Sequence, residues 1–102
     1  MEYAIIYRPG AAWIPGKLPD QQDLNGHIAY IQQLRSQRKL IQAGPFMSDN
    51  SEVTVIEVTS EAEARSIVAR DPAVVRGVLR AELTPWSIVF GLHADRSYPT
   101  KV

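Results

Sequence analysis

The chain has 102 residues, a length that suits one compact domain. Apolar residues make up 45 % and charged residues 22 %, which excludes a disordered chain, and 11 basic against 11 acidic residues leave no surplus charge to attract nucleic acid or an anionic membrane. With no cysteine, disulfides, thiolate nucleophiles and cysteine-held metals are excluded too.

The N-terminal MEYAIIYRPG has neither the basic start nor the apolar run of a signal peptide, and no stretch reads as a transmembrane segment. A cytoplasmic protein is the expectation. Glu2 to Arg8, rich in Tyr and Ile and stopped by Pro9-Gly10, predicts a strand. Residues 9 to 19 hold three prolines, two glycines and Trp13, and predict a long loop. A helix is expected from about Asp20 or Asp23 to Lys39, with acidic residues at its start and Arg35, Arg38 and Lys39 at its end, as the helix dipole favours.

Leu40 to Phe46 predicts a second strand, and Gly44-Pro45 marks it as an edge strand or one with a bent end. SDNS makes a turn, and Val53 to Val58 a third strand. Ser60 followed by Glu63 has the capping-box spacing and opens a second helix that runs to about Arg70. Asp71-Pro72 breaks it, because a residue before proline avoids the α region. A short helical turn to Arg76, closed by Gly77, follows. The last strand is placed at about Val78 to Phe90. Its apolar residues fall on odd positions up to Leu83 and on even ones from Trp86, so a bulge or kink is expected at Pro85. Residues 1–91 form the domain and residues 92–102 a polar tail.

The order β-α-β-β-α-β is the ferredoxin-like pattern, an α+β fold with a four-stranded antiparallel sheet and two helices on one face. Two helices cover only one side of such a sheet. Yet Tyr3, Ile5 and Tyr7 alternate with Ala4 and Ile6, and Val53 and Val55 with Ile56 and Val58, so strands are apolar on both sides. The second face needs a partner, and a second copy of the chain is the simplest one.

Two polar residues fall on apolar stripes. His27 shares a helix face with Leu24, Ile28, Ile31 and Leu34, and Asp71 lies on the line of Ala64, Ile67 and Val68. Both helices pack on the same sheet face, so His27 and Asp71 could meet each other or one pocket. A carboxylate on one imidazole nitrogen fixes the tautomer and raises basicity at the other, as a general base requires. Plainer readings stand beside this. His27 could sit at the stripe's edge, and Asp71 could cap the short helix with Pro72 at its first position. His93 falls in the tail and reads as solvated. Trp13 is a lid or an anchor, Trp86 is core or a ligand contact, and Arg8 at a strand end is solvated or meets an anion. There is no glycine-rich phosphate loop or nucleophile elbow. Two histidines 66 positions apart, with no carboxylate cluster at ligand spacing, do not suggest a metal site.

The chain resembles the YCII-related (YciI-like) family. The resemblance rests on His27 in HIAYIQQL, AGPF at Ala43 to Phe46, VTVIEV followed by SEAEA, Asp71-Pro72, Gly77-Val78 and Pro85-Trp86, in that order over about residues 1 to 91. It implies a dimeric α/β barrel, two ferredoxin-like units joined through their sheets, with His27 and Asp71 at the family's catalytic positions. It also implies, by analogy, dehydrochlorination of a chlorinated hydroxyhydroquinone, an elimination begun by proton removal. The SDNSE turn, where relatives often carry paired glycines, the long 9–19 loop and the polar tail depart from the pattern. The expected protein is therefore a small enzyme without cofactor or metal that removes a proton from a small cyclic or aromatic substrate and promotes elimination or isomerisation. His27 is the base and Asp71 orients it. Gly44, Pro45, Phe46 and Trp86 line the pocket, Trp13 covers one mouth, and Arg8 offers an anion contact. The alternative is a binding or sensing module of the same fold that turns nothing over. No nucleic acid or membrane partner is expected.

Overall fold

Alternation along the first strand decides which face of the sheet is covered. In the computed structural model, which describes residues 1–91, β1 (Glu2–Pro9) buries Tyr3, Ile5 and Tyr7 under the helices and turns Ala4 and Ile6 to the other side. It is a central strand. It pairs antiparallel with β3 (Glu52–Glu57) on one edge and β4 (Leu79–Trp86) on the other, and β2 (Leu40–Pro45) pairs outside β3. The order β2-β3-β1-β4 with α1 (Asn25–Ser36) and α2 (Glu61–Arg70) is the expected βαββαβ arrangement. Leu34 of α1, Ala64 and Ile67 of α2, and Ala73 of α3 (Pro72–Val75) close over the β1 side chains. Among the described residues no helix is long and apolar enough to cross a membrane. The tail set off at residue 92, with His93, lies outside the described residues.

Several boundaries differ from expectation. Helix α1 begins at Asn25, because Asp20 belongs to a separate 3-10 turn (Pro19–Gln21) and Asp23 pairs with Arg76 at 2.7 Å. The first acidic residues therefore do not cap the helix. The loop before α1 is tied down by a buried amide: Gln22 accepts from Ile14 N and donates to Ile14 O and Lys17 O. Backbone bonds from Gly10 and Ala12 anchor it to Val78 and Gly77, and a side chain at Gly10 would strike the Gly77 carbonyl at 2.3 Å.

The expected phase break also moves. β4 keeps its register through Pro85, opposite Tyr3, and ends at Trp86, opposite Glu2. The irregularity is in β2 instead: Leu40 pairs with Ile56, but Gln42 pairs with Val55. The extra residue at Ile41 switches β2 from even to odd positions on the helix side. Ala43 and Pro45 then share the face of their partners Thr54 and Glu52.

The face away from the helices carries Ala4 opposite Val55 and Ile6 opposite Val53. Val55 is buried, while Ala4, Ile6 and Val53 keep partial exposure.

Candidate functional site

Three elements bring one histidine between two carboxylates. His27 sits in the first turns of α1, next to Gly26, whose missing side chain lets α1 approach Pro72; a Cβ there would lie 3.1 Å from the proline ring. Pro72 opens α3, and the residue before it, Asp71, is held extended at φ −63°, ψ 122° between α2 and α3. Its two oxygens divide the work. Oδ1 accepts from Ala73 N at 3.0 Å and caps α3, while Oδ2 accepts from His27 Nδ1 at 2.6 Å. The capping reading and the pairing reading of Asp71 therefore hold together. His27 is 3 % exposed and Asp71 0 %.

The other nitrogen is also occupied. Nε2 donates to Oε1 of Glu52, the first residue of β3. Glu52 was not anticipated as a site residue. Its signal was the inward alternation Ile56, Thr54, Glu52, hidden because the strand was expected to start one residue later, at Val53. Tyr7, paired across the sheet with Glu52, packs edge-on against the imidazole, with ring centroids 4.9 Å apart and planes at 71°. Burial, with Asp71 and then Glu52 nearby, raises the Tyr7 phenol and keeps it neutral.

Burial alone would lower the His27 pKa, but hydrogen bonds to Asp71 and Glu52 and their charges prevail and lift it to about 9. At neutral pH the ring is thus an imidazolium donating to a carboxylate on each side. This pairing predicts a pH-dependent stability. The folded pKa lies above the ordinary 6.5, so the stabilisation is complete below pH 6.5 and is lost as pH rises through about 9. The loss is on the order of 3 kcal/mol across that window. Urea unfolding at pH 6 and pH 9.5 measures it, and His27→Gln should flatten the profile. Equal stability at both pH values would contradict the pairing.

A cavity of about 210 Å³ adjoins the pair. Ile28, Ile31 and Gln32 of α1 and Ala43, Gly44 and Pro45 of β2 line it together with His27 and Glu52. Of the pocket residues expected from sequence, Gly44 and Pro45 are here. Trp13 is not: it packs against the core and lines a separate cleft of about 50 Å³ that shares only Pro45 and Glu52 with the cavity. Phe46 lies in the turn beyond β2, 42 % exposed, and lines neither space. Arg8 and Trp86 point away from His27. Arg8 is on the opposite face from Tyr7 and is bound to Glu82 at 3.0 Å. Trp86 ends β4 opposite Glu2, at the far end of the sheet from Tyr7. A larger groove between α1 and α2, about 420 Å³, is crossed by the Lys39–Glu63 ion pair and does not include His27.

Comparison with known proteins bears on this site. The sequence model of the YCII-related domain matches residues 1–87. An uncharacterized protein, YjpA of Bacillus subtilis (strain 168), is 29 % identical over 69 residues, which cover 68 % of this chain and 81 % of that protein. Among solved structures, the 5-chloro-2-hydroxyhydroquinone dehydrochlorinase TftG of Burkholderia phenoliruptrix AC1100, in complex with 2,5-dihydroxybenzoquinone, superposes with a TM-score of 0.63 at 25 % identity. The likeness covers 91 % of this chain and 99 % of TftG.

Proposed function

Because the chain belongs to the YCII-related domain family, we propose that it is a small-molecule enzyme in which His27, oriented by Asp71, moves a proton to or from a single-ring substrate bound in the adjoining cavity. The observation that carries this reading is the buried Asp71–His27 bond beside a cavity of one-ring size. Its volume of about 210 Å³ is below the roughly 300–1,000 Å³ of sites for drug-sized ligands. The chemistry is elimination or isomerisation. In loss of HCl from a chlorinated polyhydroxybenzene, the ring first tautomerises, one hydroxyl losing its proton to become a carbonyl while the chlorine-bearing carbon gains a proton. A second hydroxyl then gives up its proton, its electron pair moves through the ring, and the C–Cl bond breaks with its pair leaving as chloride, so that a hydroxyquinone and HCl result. With Nδ1 on Asp71 and Nε2 on Glu52, the His27 ring is set in orientation in advance and, protonated at neutral pH, serves that proton transfer as an acid and through Glu52. The likeness to a dehydrochlorinase supports this class of substrate. The test is chloride release from 5-chloro-2-hydroxyhydroquinone and related chlorinated hydroquinones under argon, followed by a chloride electrode. Turnover above the spontaneous rate supports the reading. Saturable binding of these compounds without release would favour the binding module.

The enzyme acts as a homodimer joined through the face that carries Ala4, Ile6, Val53 and Val55. The support is the apolar character of those directly opposed pairs on the side the helices leave open. Arg8 and Trp86, on that face, then serve the interface rather than the His27 cavity. Light scattering should give twice the chain mass at micromolar concentration, with about 1,200–2,000 Å² buried in total. Ile6→Lys should return a folded monomer, and a wild-type monomer would refute the assembly.

A further inference from the structure

The two carboxylates on His27 are not equivalent. Asp71 is sealed, with one oxygen on His27 and the other on Ala73 N. The Glu52 side chain keeps 26 % exposure, lines the cavity, and has one oxygen on His27 and no second partner among the described residues. A molecule in the cavity therefore reaches Glu52 before it reaches the imidazole nitrogen. Apart from the His27 ring, which Glu52 shares with Asp71, no cation among the described residues opposes the charge there. Among the described residues lining the cavity there is no Lys or Arg, and two carboxylates around one imidazolium leave one negative charge in excess.

We propose that Glu52 is the group that meets the substrate and selects it: its free oxygen accepts a hydrogen bond from a ring hydroxyl, so the site takes uncharged, hydroxyl-bearing rings and rejects carboxylate-bearing ones of the same size. This rests on the cavity beside His27 being the substrate site. The physical reason is twofold. A charged acceptor strengthens a hydrogen bond from a neutral phenol, which keeps its proton up to about pH 10. An anion placed against Glu52 meets a like charge where the one cation, the His27 ring, is already shared by two carboxylates, and must also give up water to enter an apolar cavity. Glu52 also separates the ligand from Nε2, so a proton leaving the ligand hydroxyl passes first to Glu52, while the imidazolium behind it holds the charge.

Two probes of one shape separate the alternatives: hydroquinone, uncharged at pH 7.5, and 2,5-dihydroxybenzoate, its carboxylate-bearing counterpart. Binding is followed under argon by NMR, through the His27 ring signals and the amides of residues 43 to 52, in wild type and in Glu52→Gln. The expected result is at least a tenfold preference of wild type for hydroquinone, reduced to within about twofold in Glu52→Gln, which keeps an amide oxygen but not the charge. Equal or tighter binding of 2,5-dihydroxybenzoate to wild type, or a preference unchanged in Glu52→Gln, would overturn the role of Glu52 and leave the cavity as the substrate site. Failure of both probes to move any of these signals at millimolar concentration would overturn the cavity reading, and this inference with it. The wild-type comparison stands alone should the variant not fold.

Discussion

His27→Gln should lower turnover by about 10²–10⁴-fold, the usual contribution of a positioned acid or base, with the chain still folded. Glutamine is close to histidine in size, and its amide can donate to one of the two carboxylates that now flank the ring. It cannot carry a proton. The loss should therefore fall on kcat, while KM changes little, since ligand contacts with Ile28, Ile31, Pro45 and Glu52 remain in place. The variant leaves Asp71 and Glu52 without the imidazolium between them, so some stability is lost as well. Near-UV circular dichroism and an unfolding curve at the assay temperature separate a folded, inactive protein from a partly unfolded one. Full turnover in a folded His27→Gln protein would remove His27 from the chemistry and leave Glu52 to carry the proton without it.

What could be read before the structure, and what could not, follows from the range of the forces involved. Helical spacing is local, and it placed His27 on the buried stripe with Leu34, which is where it lies. The Ser60–Glu63 cap is local too: Glu63 N donates to Ser60 Oγ at 3.1 Å, although the Glu63 carboxylate answers Thr59 N rather than the Ser60 amide. Asp71-Pro72 is a two-residue signal, and it marked both the end of α2 and the cap of α3. Features that depend on pairing between strands were hidden. Nothing in Leu40 to Pro45 announces a bulge at Ile41, yet that bulge turns Ala43 and Pro45 to the cavity side. Trp86 was placed near the site because a kink expected at Pro85 stood in for the regular register that β4 keeps. Arg8 was placed there because β1 is apolar enough on both sides that composition does not say which side the helices take. Tyr7 touching His27 decides it, and puts Arg8 on the other face. Glu52 was missed for the same reason: at a strand end after a polar turn it looks solvated, and only its register opposite Tyr7 brings it inward.

Asp71→Ala should cost about 3–5 kcal/mol of stability, the range for removing one partner of a buried ion pair. The substitution has two separable consequences. It removes the acceptor for Ala73 N, a cap worth about 0.5–2 kcal/mol, and it leaves the His27 Nδ1–H buried without its carboxylate. Asp71→Asn divides them. The asparagine oxygen can still accept from Ala73 N, but its amide nitrogen then faces His27 Nδ1, where a protonated ring would set donor against donor. The ring must lose that proton, so the His27 pKa should fall toward its ordinary value, and the decline in stability between pH 6.5 and about 9 should shrink. Asp71→Asn should therefore lie between wild type and Asp71→Ala in urea unfolding, with a flatter pH profile. A double-mutant cycle isolates the pair itself. In a His27→Gln background the cost of Asp71→Ala should drop toward the share of the cap alone, about 1 kcal/mol. An unchanged cost in that background would mean that Asp71 serves only α3, and that the bond between the two side chains contributes nothing to the fold or to the orientation of His27.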